Sequence, residues 1–335
     1  MVETGKETPP ATPRAFRLEP RRAIRYRLSV ALTALVSWIA WLTPPPLRRR
    51  LAAAGGDLFY RFFPTYRANI MDNVRHVLPN ASDIDLELAT RSIFRQGAYN
   101  FLDLFLIPHV GRHAITRPDA LVEGSWTYLD DALAGGKGAI IVTAHLGPFD
   151  YIMQLLNQRG YKITSVTGRT TSRFVFDGVT WLRRRHNSAI VEASPSGIKK
   201  VFQALRRGEC AAVLSDYDFS GNGFPVTMFG APTRIPQGPV RIARDTGAPI
   251  VPLFARRIGN RHALILLPPF RVTKSRNADA DLKEGLRRLV ECLEYAISRT
   301  PDQWVMFQRL WPSDHAPTAA QNPEPAAESA PVTGR

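Results

Sequence analysis

The sequence predicts an α/β protein whose largely parallel, mixed sheet is flanked by helices, with a membrane-anchoring helix added at the N-terminus. From about residue 120 onward, short apolar runs rich in β-formers alternate with helices of about 10–15 residues, as expected for a parallel sheet. Hydrophobic residues make up 44% of the 335 residues, which is enough for a full core. Near the N-terminus, residues 28–47 (LSVALTALVSWIAWLTPPPL) carry no charge.

The two ends of the chain are predicted to differ from the part between them. Residues 1–20 form a polar, Pro- and Thr-rich segment that we expect to be disordered, as is the Pro- and Ala-rich tail at 313–335. Residues 21–50 are expected to be the membrane anchor. Its predicted helical part, residues 28–43, is shorter than the roughly 20 residues that a spanning helix needs.

Four interpretations of this apolar segment compete: a short transmembrane span, a helix in the membrane interface, a signal peptide and a buried core helix. Three prolines and then three arginines stand where a signal peptide would have its cleavage site, which disfavours that interpretation. Trp38 and Trp41 suit the headgroup boundary, and flanking basic residues suit anionic lipid. The sequence therefore favours a membrane anchor.

Charge and cysteine content limit the classes of function. The net charge is +15, from 44 basic and 29 acidic residues, which suits anionic lipid, an acidic carrier protein or nucleic acid. Ten of the basic residues lie in residues 1–50, around the apolar segment, and the sequence contains no nucleic-acid-binding module. Cys210 and Cys292 are too few for a disulfide framework or a thiolate zinc site.

The elements after the anchor can be assigned in order. Residues 51–110 are predicted to be helical, with Ser82 and Asp85 spaced as a capping box. The predicted strands of the sheet are 138–145, 161–168, 188–193, 209–216, 248–257 and 263–270. The predicted helices among them are 150–158, 174–185, 197–207, 237–247 and 281–297.

The motif HLGPFD, residues 145–150, is the main candidate for chemistry. His145 ends a predicted strand, and in parallel sheets ligands bind beyond the carboxyl ends of the strands. Asp150 lies in the first turn of the next helix, after Gly147 and Pro148. A carboxylate there could accept a hydrogen bond from one imidazole nitrogen and leave the other as a base. The pair could then take the proton of an incoming hydroxyl. The alternative is that His145 is a core histidine and Asp150 a helix-capping aspartate, with no catalytic role.

The wider pattern resembles the lysophospholipid acyltransferase superfamily, which carries an H-x4-D motif. It is most similar to the lipid A biosynthesis (lauroyl/myristoyl) acyltransferases. Six segments within residues 25–312 carry the resemblance in order: YRANIMDNVRHVLP, AHLGPFD, WLRRRHNSAIV, LRRGECAAVLSDYD, VTMFGAPTRIPQGPVRIARDTGAPIVPLFARR and PDQWVMFQRLW. The resemblance implies a glycerolipid-acyltransferase-like domain over residues 51–312. Met228 and Asn187 depart from the family pattern, which often has Phe and Gly there.

The resemblance implies roles for particular residues. His145 would be the general base and Asp150 its orienting partner. An arginine of the 183–185 run, preferably Arg183, would meet the oxyanion or an acceptor phosphate. Further predicted substrate-binding residues are Arg184, Asp216, Asp218 and Arg257, with Arg256 as an alternative to Arg257.

The resemblance also implies the substrates and the location. The donor would be an acyl carrier protein thioester, or acyl-CoA, and no metal or other cofactor is expected. The acceptor would be a hydroxyl of a lipid A precursor, or alternatively of a phosphatidylinositol mannoside-like glycolipid or a lysophospholipid. We expect acyl carrier protein, the acceptor lipid and the anionic membrane surface as partners, but no nucleic acid. The expected location is the cytoplasmic face of a bacterial inner membrane.

A different class of function is suggested by Asp216 and Asp218 alone. A D-x-D pair at a strand end can hold a metal in a glycosyltransferase. That alternative predicts metal dependence, whereas acyl transfer needs no metal. A catalytically inactive membrane scaffold is a further alternative, in which replacing His145 would change nothing beyond stability.

Overall fold

The computed structural model describes residues 20–109, 121–168, 172–184, 189–259 and 261–311. The predicted terminal segments 1–20 and 313–335 lie outside these ranges except for Pro20, as do Arg185 and Asn187. The helices in the described ranges are α1 Pro20–Leu42, α2 Pro45–Phe62, α3 Pro64–Val77, α4 Asp83–Leu106, α5 Thr127–Ala134, α6 Phe149–Gln158, α7 Arg173–Arg183, α8 Pro195–Arg206, α9 Gly238–Thr246 and α10 Ala278–Arg299. The strands are β1 Leu121–Glu123, β2 Ala139–Thr143, β3 Ile163–Thr167, β4 Ala189–Glu192, β5 Cys210–Leu214, β6 Phe224–Met228, β7 Ala231–Ile235, β8 Ile250–Ile258 and β9 Arg261–Leu266.

The fold is α/β, and its main sheet is mixed but mostly parallel, as predicted. Within the described ranges it has seven strands in the order β1-β9-β8-β2-β5-β3-β4. Strands β8, β2, β5, β3 and β4 run parallel to one another. Strand β9 is antiparallel to β8, and β1 pairs with β9 in parallel. A separate antiparallel hairpin is formed by β6 and β7. The short strand β1, both strands of the β6–β7 hairpin and the helix α5 are not among the elements predicted from the sequence.

Helices cover both faces of the sheet because its central strands are apolar on both sides. Ile140 and Val142 of β2 point to the face where α8, α9 and α10 pack, and all of these side chains belong to one core cluster. Ile141 points the opposite way, toward Ile152 and Leu155 of α6. This alternation along a buried strand is the period-two geometry of a β-strand, and it places the core on both faces of β2.

The helices before the sheet begin at residues that suit helix starts. Ser82 caps α4 by accepting a hydrogen bond from the Asp85 backbone N–H, and the predicted capping box is present. Pro45 and Pro64 stand at the first positions of α2 and α3. The predicted boundary at residue 50 falls inside α2, which runs through it unbroken from Pro45 to Phe62.

The N-terminal helix is longer than the sequence pattern predicted. It has 23 residues instead of 16, because the basic residues between Pro20 and Leu28 continue the helix. Residues 22–42 are long and apolar enough to cross a membrane by length and composition, and few of their side chains are buried. Large apolar side chains, among them Leu35, Trp38 and Ile39, remain exposed along it.

One side of α1 nevertheless packs on the helices α4 and α7. The Ser29 hydroxyl donates a hydrogen bond to the Phe174 carbonyl at the start of α7, over 2.5 Å. The Ser37 hydroxyl donates to the Phe105 carbonyl of α4 over 2.6 Å. Between them, Gly178 of α7 lets the helices approach, since a Cβ there would stand 2.2 Å from the Thr33 hydroxyl oxygen. The helix therefore lies along the domain from Ser29 to Ser37.

Candidate active site

The site forms where two neighbouring parallel strands end. In the register of β2 and β5, Thr143 lies beside Leu214, the last residue of each strand. Two residues further along, the same register brings His145 beside Asp216. The carboxyl ends of parallel strands share one edge of the sheet, so the two side chains meet there.

The Asp216 carboxylate holds His145 with two hydrogen bonds. His145 Nδ1 lies 2.9 Å from Asp216 Oδ1, and the His145 backbone N–H donates to Oδ2 over 2.8 Å. The indole N–H of Trp304 also donates to Oδ2, over 2.9 Å. Asp216 and Trp304 are almost completely buried, whereas 18% of the His145 side chain is exposed. The ring is thus fixed from behind and open in front.

The ionisation of Asp216 follows from these partners. Burial by itself raises the pKa of this carboxyl, but the charge and hydrogen bonds of His145 and the Trp304 hydrogen bond outweigh it and hold the pKa below its usual range. An ionised carboxylate only accepts hydrogen bonds, so Nδ1 carries the proton and donates it. This tautomer leaves Nε2 as the basic nitrogen of the ring.

The prediction that Asp150 orients His145 differs from the structure. Asp150 accepts two hydrogen bonds from Arg183 instead, from Nε over 2.6 Å and from a terminal nitrogen over 3.1 Å. The physical reason is placement: Asp150 lies in the first turn of α6 and faces the last turn of α7, whereas Asp216 follows the strand next to His145. The result is a two-pronged Arg–carboxylate ion pair, the strongest geometry for this contact.

The turn after His145 is shaped by close backbone packing. Gly147 has a φ of +51°, and a Cβ on it would stand 2.6 Å from the Ala255 carbonyl oxygen of β8. The Gly147 N–H donates to the Gln303 carbonyl over 2.9 Å, and the Val305 N–H donates to the His145 carbonyl over 2.7 Å. The segment around Gln303 therefore fixes the HLGPFD turn from the side opposite β5.

The open side of His145 is bordered by aromatic rings. Phe149 and Phe219 stand edge-on to the imidazole, with ring centroids at 5.4 Å and 6.0 Å. Phe219 is about half exposed and packs on Tyr217 at 4.6 Å. Apolar rings beside the imidazole would keep water from its basic nitrogen and suit an apolar substrate.

The other residues predicted for the site do not form hydrogen bonds with His145 in the described structure. Arg184 ends α7 and is exposed. The Asp218 carboxylate accepts hydrogen bonds from the N–H and hydroxyl of Ser220 and from the Gly223 N–H, so it holds a loop and does not join His145. Arg257 is buried near the end of β8, and the neighbouring Arg256 pairs with Glu123.

Two contributions were not predicted from the sequence. The sequence indicates Trp304 only as part of a segment that resembles the family. No spacing pattern links it to Asp216, which lies 88 positions away. His262 was assigned no carboxylate partner, yet its Nε2 lies 3.1 Å from Asp103 Oδ2. Both pairs join distant parts of the chain, so only the strand order of the fold could have indicated them.

The arrangement can perform base-catalysed transfer to a hydroxyl. A histidine with a buried carboxylate behind Nδ1 and an accessible Nε2 is the geometry of a general base. No serine or cysteine nucleophile lies in hydrogen-bond contact with His145 within the described residues, so the attacking group would come from a substrate.

Comparison with known proteins decides the family. The model of the bacterial lipid A biosynthesis acyltransferases matches residues 17–313. The chain belongs to this family. It is an acyltransferase, as predicted, and the match includes the whole α/β domain with the site at His145.

Curated relatives of this acyltransferase come from mycobacteria. It is 26% identical to a phosphatidylinositol mannoside acyltransferase of Mycobacterium tuberculosis, over 68% of this chain and 71% of that protein. A protein of the same name from Mycolicibacterium smegmatis is 23% identical, over 56% of this chain and 61% of its own length. Among solved structures, the 1-acyl-sn-glycerophosphate acyltransferase of Thermotoga maritima matches with a TM-score of 0.35 and 17% identity, over 73% of this chain and 95% of that chain.

Proposed function

We propose that this acyltransferase moves a fatty acyl chain from a thioester donor to a sugar hydroxyl of a phosphate-bearing membrane glycolipid, with His145 as the general base. The observation that carries the proposal is the hydrogen bond of 2.9 Å between His145 Nδ1 and the buried Asp216 carboxylate. Family membership supplies the reaction class, and this geometry supports the assignment of the base.

The proposed reaction uses the histidine twice. Nε2 takes the proton from the acceptor hydroxyl while the hydroxyl oxygen forms a bond to the thioester carbonyl carbon. The resulting imidazolium is stabilised by Asp216, which lies next to it and stays ionised. When the tetrahedral intermediate collapses, the carbon–sulfur bond breaks, and the departing thiolate receives the proton from Nε2. The products are an ester and a free thiol.

The Arg183–Asp150 pair is proposed to serve charge recognition. Asp150 occupies two N–H groups of the Arg183 guanidinium and fixes its plane. The other three of its five N–H groups donate no hydrogen bond among the described residues, so they suit a ligand. A fixed guanidinium is suited to an oxyanion or a phosphate oxygen. In this account Asp150 positions Arg183, while Asp216 positions His145. Arg184 and Asp218 stay predicted substrate-binding residues, and neither forms a hydrogen bond with His145 among the described residues.

Two acceptors are favoured by different observations. The curated relatives are phosphatidylinositol mannoside acyltransferases, which favours a mannosylated phosphoinositide. The family model describes lipid A biosynthesis, which favours a lipid A precursor as the second candidate. The net charge of +15 suits an acidic acyl carrier protein as donor, with acyl-CoA as the alternative.

We propose that the enzyme works on the cytoplasmic face of the inner membrane, with α1 in contact with lipid. Exposed apolar side chains continue from α1 into α2, including Leu35, Ile39, Leu51 and Leu58.

A substrate matrix tests the proposal. Membranes containing the enzyme receive labelled acyl carrier protein thioester or labelled acyl-CoA, each with a mannosylated phosphatidylinositol, a lipid A precursor or a lysophospholipid, all in the presence of EDTA. We expect transfer to at least one of the two glycolipids, and EDTA should not reduce it. Transfer only to the lysophospholipid would reject the glycolipid acceptor, and loss of activity with EDTA would favour the metal-dependent alternative.

A further inference from the structure

A polar pocket separate from the His145 site lies where α1 turns into α2. Its volume is about 280 Å³, and α2, α4 and the β8–β9 hairpin form its walls. The side chains that give it its chemistry are Arg48, Arg49, Tyr99, Asp103, Arg257 and His262. Ligand pockets for whole drug-sized molecules are larger, from about 300 to 1,000 Å³. This pocket therefore suits one small group.

The inner end of the pocket is a preorganised guanidinium. Only 6% of the Arg257 side chain is exposed. Its terminal nitrogens donate to the side-chain oxygens of Gln96, over 2.7 Å, and Asn100, over 3.0 Å, and to the Asp103 carboxylate. His262 shares that carboxylate, and its ring packs on Tyr151 of α6 with centroids 4.1 Å apart. A buried arginine held at this many points cannot rotate away from a ligand.

The pocket has more positive than negative charge. Arg48 and Arg257 contribute two guanidinium groups, against the single carboxylate of Asp103. Arg49 and Arg257 both lie close to the ring of Tyr99, at 5.3 Å and 5.7 Å from its centroid. Among the residues that the structure describes, no carboxylate lies within ion-pair distance of Arg48. The missing negative charge would come from a ligand.

Its position links the pocket to both the membrane and the reaction site. Leu47 and Leu51, on either side of Arg48 along α2, are about half exposed or more. At the other end, Gln303 accepts a hydrogen bond from the Arg257 N–H over 2.7 Å, and its carbonyl accepts from Gly147 in the HLGPFD turn. The pocket is thus linked through Gln303 to the turn that follows His145, and exposed leucines flank Arg48 on α2.

We infer that this pocket binds the phosphodiester of the acceptor's headgroup and thereby holds the acceptor's sugar in front of His145. The inference rests on the proposed function for the acceptor and adds the residues that would recognise it. A phosphodiester carries the charge that the pocket lacks, and arginine fits its oxygens with paired hydrogen bonds. The donor also carries phosphate, so the test must separate the two sources.

The test compares Arg48→Gln with Arg50→Gln. Both arginines lie in the first turns of α2, but Arg50 is exposed and does not line the pocket. The acceptors are a mannosylated phosphatidylinositol and a mannosylated diacylglycerol, which lacks phosphate. With the first, Arg48→Gln should raise the acceptor KM roughly tenfold, the effect of losing one hydrogen bond to a charged group, with kcat and donor KM unchanged. With the mannosylated diacylglycerol, the acceptor KM of Arg48→Gln should equal that of wild type. Arg50→Gln should leave kcat and both KM values unchanged with either acceptor.

Each other outcome overturns the inference. An equal effect of Arg50→Gln would mean general attraction to the membrane. A rise in donor KM would assign the pocket to the donor's phosphate, and no effect would mean that no phosphate binds there.

A binding measurement does not depend on acyl transfer. Titration calorimetry with glycerophosphoinositol, the soluble headgroup, should give roughly tenfold weaker binding to Arg48→Gln than to wild type or Arg50→Gln. If this difference is seen but no acyl transfer occurs, the proposed function fails and the pocket stands. If transfer occurs but the three proteins bind the probe equally, only the pocket fails.

Discussion

Replacing Asp216 with asparagine tests how the base is prepared. The side chain keeps its shape but loses its charge, and an amide can offer an N–H to His145 Nδ1, where the carboxylate accepts one at 2.9 Å. The ring would then carry its proton on Nε2, the wrong nitrogen for a base. The attraction between imidazolium and carboxylate is also lost. For charges about 4 Å apart at an effective dielectric constant of about 20, it amounts to about 4 kcal/mol.

That energy corresponds to a fall in kcat of roughly a thousandfold. Initial rates of acyl transfer at saturating donor and acceptor measure it, with thermal unfolding as the control for folding. Trp304→Phe provides the graded comparison, because it removes one hydrogen bond to Asp216 and leaves the charge. We expect it to cost about tenfold or less. If Asp216→Asn keeps its activity within tenfold of wild type, or if Trp304→Phe loses as much, the account of the base is refuted.

Three further predictions concern other parts of the molecule. Arg183→Lys keeps the charge but cannot form the two-pronged contact with Asp150, so kcat/KM should fall roughly tenfold; unchanged steady-state kinetics would contradict a role in charge recognition. Gly178→Val should lower the temperature of thermal unfolding by a few degrees, because its Cβ would stand 2.2 Å from the Thr33 hydroxyl oxygen where α1 packs on α7, and overpacking costs about 1–3 kcal/mol. An unfolding temperature equal to that of wild type would mean that α1 does not pack on α7. Burial raises the pKa of Cys210 to about 12, so at pH 8 it is a thiol and iodoacetamide should modify it only in unfolded protein, as intact mass would show; rapid labelling of folded enzyme would be inconsistent with its burial.

Much of the fold could be predicted because its signals are local. The strands β2, β3, β4, β5 and β8 are apolar runs bounded by turn residues, and α8 and α10 have clear apolar stripes. The elements that the sequence does not predict are short: β1 has three residues, α5 has eight, and β6 and β7 have five each. The uncharged run begins at Leu28 and so predicts only residues 28–43 as helical, whereas the basic residues before it continue α1 back to Pro20.

The site was predicted less completely, because its partners are defined by strand order. His145 and Asp216 were both singled out, yet local spacing favoured Asp150 as the partner of the ring. The adjacency of β2 and β5 instead brings Asp216 to it from 71 positions away. The sequence pattern cannot give that order, because β3 and β4 lie between these two strands along the chain.

The central claim, acyl transfer with His145 as the base, is tested most directly by one comparison. Wild type and His145→Gln are supplied with labelled acyl donor and mannosylated phosphatidylinositol, and the acylated lipid is quantified after each variant is shown to unfold at a similar temperature. The account predicts that wild type forms the ester and that His145→Gln forms at least a hundredfold less, the order of magnitude of general base catalysis. Equal ester formation by the two proteins would contradict it.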